Sequence, residues 1–195
     1  AGSGRGVKET DPYLIHPGAG PAILVDAAAE PSRLKALIGN YEVGAVITTH
    51  RHQDHTGALA DIINMTGAQP WCGEPDAEAI EATTGVTCST VWDGDLFRLG
   101  DVKLDVIGLV GHTRGSIALR LQGNPSDHVL TGDSLFPGGV GKTSGSREFE
   151  SLYTDICMKI FAPMSDTTVI HPGHGDATTV GEERPNLPLW RARGW

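Results

Sequence analysis

Four potential metal ligands, His50, His52, Asp54 and His55, fall within one six-residue run, His50-Arg51-His52-Gln53-Asp54-His55. The run constrains the fold more than any other stretch. It follows directly on Val43 to Thr48, a segment rich in β-branched residues that reads as a buried strand. In an extended segment positions i and i+2 point the same way, so His50 and His52 can grip one ion. Asp54 and His55, past the turn, can address a second ion close by. Imidazole combined with carboxylate suits zinc, iron or manganese, with zinc the default. The competing reading is a polar surface loop that happens to hold three of the chain's eight histidines.

The rest of the chain alternates strand-like and helix-like segments. Pro21 to Val25 is a short apolar run ending in Asp26 and reads as a buried strand. Ser32 to Ile38, opened by Pro31 and stopped by Gly39, has helical spacing, as do Gly57 to Met65 and Asp76 to Ala82. Gln69 to Cys72 reads as a strand, and Leu96 to Ile107 alternates around Gly100-Asp101 as a hairpin. Ser116 to Leu121, His128 to Leu130 and Thr167 to Ile170 read as strands, and Glu148 to Phe161 as the clearest helix. The pattern is α/β, and the loops that follow strands carry nearly every histidine.

A chain of 195 residues with 39% hydrophobic and 20% charged residues fits one domain, 1–195, with 1–10 a flexible or non-native lead. Its formal charge of −9 argues against a nucleic-acid partner, whose phosphates demand concentrated Lys and Arg. No apolar run approaches the roughly 20 residues of a membrane span, and no secretory signal is visible. Cys72, Cys88 and Cys157 are odd in number and form no CxxC pair, so they read as reduced thiols of a cytoplasmic protein. The expected partner is a small-molecule substrate. Oligomeric state is not encoded legibly.

One cluster cannot complete two coordination spheres, so further donors must come from other strand ends flanked by glycine, where the backbone turns tightly. Gly111-His112-Thr113-Arg114-Gly115-Ser116, Thr131-Gly132-Asp133-Ser134 and Pro172-Gly173-His174-Gly175 qualify. Each alone is more simply a turn or cap. With THRHQDH at Thr49 to His55, GHTRGS at Gly111 to Ser116, TGDSLF at Thr131 to Phe136 and PGHG at Pro172 to Gly175, in that order, the chain resembles the metallo-β-lactamase fold superfamily.

That resemblance implies a four-layer αββα sandwich with the metal site along one edge of its two sheets. Carried over by motif, His50, His52 and His112 would bind a first divalent ion. Asp54, His55 and His174 would bind a second, and Asp133 would bridge both. His171 is assigned no coordination role, and His16 and His128 are expected at the surface or at strand ends.

A water shared by two such ions loses its proton near neutral pH and becomes a strong nucleophile. Asp54 and Asp133 are the charged groups that would orient it, with Asp54 also able to move a proton to the leaving group. The Asp at the bridge disfavours the lactamase branch, which has Cys there. His52 disfavours the flavodiiron branch, and an acidic chain without a basic arm disfavours the RNA-processing branch. The pattern is most similar to the short glyoxalase II-like group, a dinuclear hydrolase cleaving a 2-hydroxyacyl thioester of a low-molecular-weight thiol.

In that group the segment after the bridging Asp often reads G-[KR]-T, matched here by Gly141-Lys142-Thr143. Lys142 is thereby a candidate clamp for a substrate carboxylate. Longer relatives hold glutathione with a C-terminal helical domain, and only a short tail follows His174 here, which leaves the thiol carrier open. Trp190 and Trp195 are expected to pack rather than to touch substrate. Two alternatives share the fold: a persulfide dioxygenase with one iron, and a lactonase.

Overall fold

The computed structural model describes residues 10–28 and 30–194. Most of the expected lead segment, and Trp195, lie outside the described residues.

The first sheet holds β1 (Tyr13–Ile15), β2 (Ala22–Val25), β3 (Val43–Thr48), β4 (Gln69–Gly73) and β5 (Ser89–Val91), in that spatial order. β1 runs antiparallel to β2, and the rest are parallel. Parallel neighbours require crossovers, supplied by helices α1 (Pro31–Ile38), α2 (Gln53–Thr56), α3 (Leu59–Thr66) and α4 (Ala77–Thr84). Both faces of this sheet are covered, which explains why Ile23, Leu24, Val25, Val46 and Ile47 are all fully buried in continuous apolar runs.

The second sheet has the order β13-β12-β9-β8-β7-β6. Its members are β6 (Leu96–Leu99), β7 (Val102–Gly108), β8 (Ile117–Leu121), β9 (His128–Gly132), β12 (Val169–Pro172) and β13 (Thr178–Thr179). Between β9 and β12 the chain forms a small ribbon, β10 (Leu135–Phe136) with β11 (Gly139–Val140), and the helix α5 (Ser146–Ile156). After β13 come α6 (Val180–Glu183) and α7 (Leu187–Arg193). Only β9 and β12 pair in parallel within this sheet.

Three apolar clusters define four layers. Ile23, Val25, Ala45 and Ile47 of the first sheet meet Leu104, Val106, Ile117, Leu119 and Leu130 of the second, forming the core between sheets. The alternate residues Leu24, Val46 and Cys72 face outward onto Leu34, Ile38, Leu59, Ile62 and Ile80 of the first helical layer. On the far side Ala118, Val129 and Ile170 pack on Phe149, Leu152, Ile156 and Trp190. At about 1.5–3 kcal/mol per fully buried aliphatic side chain, this period-2 partition is what fixes strand register. The architecture is the αββα sandwich expected from the sequence.

Departures from the sequence reading are local. The helix expected over Gly57 to Met65 begins earlier, as α2 inside the histidine run, and restarts as α3. The helix expected over Glu148 to Phe161 is α5 followed by a π-helical turn, Cys157–Phe161, which buries Ile160 and Phe161 and leaves Met158 exposed. β1, β5, the β10–β11 ribbon, β13, α6 and α7 were not expected from the sequence. Trp190 on α7 is 2% exposed and sits edge-on to Phe161, a packing residue.

One contact ties the start of the described chain to its end. Asp11 N donates to Gly173 O at 2.8 Å, Gly175 N donates to Asp11 Oδ2 at 3.0 Å, and Tyr13 Oη donates to Pro172 O at 2.7 Å. Burial, reinforced by Asp11 and Asp26, pushes the Tyr13 phenol up to about 12, so it keeps the proton it donates.

Candidate metal centre

The carboxyl ends of β2, β3, β9 and β12 and the loop between β7 and β8 converge at one edge of the two sheets. β3 ends at Thr48; His50 sits in a bend over residues 49–51 rather than in the extended segment expected from the sequence, and an extended His52 then leads into α2, which turns Asp54 and His55 back toward the sheet edge. His112 comes from the β7–β8 loop, Asp133 follows β9, and His174 follows β12.

Two clusters result. In the first, His50, His52 and His112 bring one ring nitrogen each to within 4.8 Å of one another. His50 Nε2 and His112 Nε2 are 3.3 Å apart, and His52 meets the His112 ring edge-on at 4.6 Å. In the second, Asp54, His55, Asp133 and His174 satisfy the same criterion. Here Asp133 Oδ1 is 3.3 Å from His55 Nε2, and Asp133 Oδ2 is 3.4 Å from His174 Nε2. His174 Nε2 is also 3.2 Å from Asp54 Oδ2. Asp133 Oδ2 lies 3.8 Å from His112 Nε2, so this one carboxylate faces both clusters.

The pieces fit a pair of metal ions. His55 Nε2 and Asp133 Oδ1 are buried, make no well-formed hydrogen bond and face each other at 3.3 Å, an arrangement that an ion between them would satisfy. The mixed nitrogen and oxygen donor set suits a first-row divalent metal. Gly173 keeps the space open, because a side chain there would run into Asp133 Oδ1 and the His55 ring.

Hydrogen bonds behind the rings orient them. His55 Nδ1 lies 2.8 Å from Asp26 Oδ2, and His112 Nδ1 lies 2.7 Å from the carbonyl of Lys142. Thr49 Oγ1 donates to Asp26 Oδ2 at 2.8 Å and is placed to accept from His50 Nδ1 at 3.1 Å. With Nδ1 engaged behind each ring, Nε2 is the nitrogen that His50, His55 and His112 turn to the centre. Asp26 also accepts from Thr49 N at 2.7 Å and occupies the left-handed region with φ 61°, a conformation uncommon outside glycine and concentrated at functional sites.

A second buried carboxylate holds the loops themselves. Asp76 accepts from Arg51 N at 3.0 Å, Gly115 N at 3.0 Å and Thr113 Oγ1 at 2.6 Å. It thereby pins the His50–His52 loop to the loop bearing His112. Neither Asp26 nor Asp76 was identified from sequence. Asp26 reads there as a strand end and Asp76 as a helix start, yet Asp76 makes no capping bond to α4. An acidic residue closing a fully apolar strand was the available signal for Asp26; Asp76 had none.

The electrostatics differ between clusters. Burial, then the neighbouring imidazoles, hold His50 well below the usual histidine range, and burial lowers His112 as well. Burial also opposes charge on His55, but the carboxylates of Asp26 and Asp133 outweigh it and raise His55 to about 10. Asp133 is lowered, burial being overcome by His55, His174 and His112.

The other sequence candidates lie elsewhere. Lys142 is exposed, and what it contributes to the centre is its backbone carbonyl. His171 stacks on His128, with Nε2 and Nδ1 2.9 Å apart, and lies outside both clusters. His16 stacks on Tyr41 at the surface. Cys72, Cys88 and Cys157 are free thiols.

A family model described as the metallo-beta-lactamase superfamily matches residues 5–180. The chain belongs to that superfamily. A protein named hydroxyacylglutathione hydrolase GloC from Haemophilus influenzae is 27% identical over 190 residues, covering 88% of each chain. The crystal structure of TTHA1623 in a di-iron-bound form is 26% identical, with a TM-score of 0.75 over 92% of this chain and 94% of that one. BLEG-1, a B3 metallo-beta-lactamase, superposes with a TM-score of 0.80 at 22% identity, over 95% and 96% of the two chains, which speaks to the fold alone. Fold, superfamily and paired donor clusters together make this a metal-dependent hydrolytic centre. No described helix is long and apolar enough to cross a membrane.

Proposed function

We propose that the protein is a dinuclear thioester hydrolase, cleaving a 2-hydroxyacyl thioester of a low-molecular-weight thiol. The observation that carries the reading is the carboxylate of Asp133, which faces His55, His174 and His112 at 3.3, 3.4 and 3.8 Å. The likeness to the Haemophilus influenzae protein, near full length on both sides, supports the thioester as substrate class.

His50, His52 and His112 would hold one ion, Asp54, His55 and His174 the other, and Asp133 both. When bound, such a pair makes water nucleophilic near neutral pH and polarises the acyl carbonyl, with zinc the default and iron or manganese compatible with the same donors. Asp133, fixed between three imidazoles, orients the attacking water. Asp54 is 44% exposed on the solvent side of its cluster, where its carboxylate can take the proton of that water and return it to the leaving sulfur. The net change is cleavage of the acyl C–S bond by water, giving a carboxylic acid and a thiol. A thiolate leaves readily, so little acid assistance is needed.

Metal quantitation with a panel of thioester, lactone and persulfide substrates tests the reading. Two ions per chain and thioester turnover are expected. One iron per chain with oxygen uptake on a persulfide, or ring opening of lactones without thioester turnover, would replace it with the corresponding alternative.

A further inference from the structure

Two clefts open beside the first cluster, with Arg51 lining both. One, of about 690 Å³, runs past His52, Thr56, Ala79 and Thr83 and carries little charge besides Arg51. The other, of about 520 Å³, borders His112 and is lined by Arg51, Arg114 and Arg147, with Glu148 its single acid among the described lining residues. These three arginines come from three separate loops or elements: the His50–His55 run, the β7–β8 loop and the first turn of α5.

In a chain of net charge −9, this is an unusual local excess of positive charge. The use of these arginines also differs from that of others. Arg120, Arg184 and Arg191 are tied into ion pairs with Asp127, Asp166 and Glu150. The guanidinium groups of Arg51, Arg114 and Arg147 make no hydrogen bond or ion pair among the described residues. A concave wall concentrates their field, and each guanidinium can grip a carboxylate or phosphate with two parallel hydrogen bonds. Arg51 and Arg114 are also held at the backbone level, since Asp76 fastens Arg51 N and Gly115 N beside them.

We infer that this arginine-lined cleft is the subsite for the thiol carrier, and that the carrier bears two or more anionic groups, carboxylate or phosphate. The inference rests on the thioesterase reading for its link to catalysis, and on the cleft alone for anion binding. An anion seated against Arg114 and Arg147 lies next to His112, so the attached acyl group is delivered to the first cluster. The arginines are specificity residues, acting on the carrier rather than on the scissile bond.

The test uses the metal-loaded protein and three lactoyl thioesters: of glutathione, with two carboxylates; of coenzyme A, with phosphates; and of N-acetylcysteamine, which is uncharged. The expected result is a preference in kcat/KM for at least one anionic thioester over the neutral one. That preference should fall about tenfold or more in the triple variant R51Q/R114Q/R147Q, mainly through KM, and shrink with added salt in the wild type. Arg98→Gln, an exposed arginine on β6 outside the cleft, should leave it unchanged. Binding of S-methylglutathione and S-methyl coenzyme A by calorimetry supplies a readout without turnover and tells carboxylate from phosphate.

Anion binding that disappears in the triple variant, with no thioester of any kind cleaved, would sink the thioesterase reading and leave the anion subsite standing. Thioester cleavage without charge preference, with binding of both S-methyl probes unaltered in the triple variant, would overturn the subsite.

Discussion

His50, His52 and His112 meet as three imidazoles, whereas Asp54, His55, Asp133 and His174 interleave two carboxylates with two imidazoles. The second cluster is self-complementary: His55 is raised to about 10 between Asp26 and Asp133, and Asp133 is lowered in return. The first has no internal counter-charge, and its members His50 and His112 are held toward the neutral form. It relies instead on scaffolding, through Asp76 clamping two loops and the Lys142 carbonyl orienting His112. One cluster is assembled by charge and the other by backbone, and Asp133 joins them.

The strongest way to break this comparison is to remove the shared group. Asp133→Ala is expected to abolish hydrolysis and to lower the content of both ions, read by elemental analysis with activity. A fully active, fully metallated variant would refute the bridging role. Gly173→Ala comes next, because its methyl group would enter the space between Asp133 and His55. Overpacking of this kind costs about 1–3 kcal/mol, and here it should evict the second ion while sparing the first. Metal content falling from two ions toward one is the expected signature; two retained ions would show that the space is not a metal cradle.

A paired experiment sharpens the contrast between charge and scaffold. Asp26→Ala and Asp76→Ala should each weaken metal binding by about 10–100-fold, as losses of supporting groups behind ligands usually do. The damage should be partitioned. Histidine ring NMR signals of His55, and of His50 through Thr49, should move in the Asp26 variant, and those of His52 and His112 in the Asp76 variant. Identical perturbation patterns would mean that the clusters are not separately supported. Asp76→Ala also strands Arg51 N, Gly115 N and Thr113 Oγ1, so a stability loss on the order of 1–3 kcal/mol accompanies it, measurable by denaturant unfolding. The smallest effect is expected for His171→Gln, which should leave metal content unchanged; loss of an ion would place His171, not His174, in the centre.

The candidate donors were legible because each is a chemically distinctive side chain in a segment that follows a strand, with glycine beside His112, Asp133 and His174. Their spacing within His50 to His55 needed no tertiary knowledge. The supporting carboxylates were not legible for the converse reason. Asp26 acts on residues 23 and 29 positions away, and Asp76 on residues 25, 37 and 39 positions away, so nothing local distinguishes them from a strand end or a helix start. The arginines escaped for the same reason: Arg51, Arg114 and Arg147 share a cleft only once the sandwich is folded. Helix ends shifted where two geometries compete, as in the π-helical turn after α5, whose last residue, Phe161, meets Trp190 edge-on.

The seam between Asp11, Tyr13 and the Pro172–Gly175 loop has a meaning in time as well as in space. As the chain is synthesised, His50, His52, Asp54 and His55 emerge early and wait for His174 to arrive late. The loop bearing His174 is in turn fastened to residues that emerged before any of them. Completion of the second cluster is thereby a closing stitch between early and late segments. A nascent or clipped chain missing either side of that stitch keeps its histidine run but loses the hydrogen bonds that fasten the Pro172–Gly175 loop.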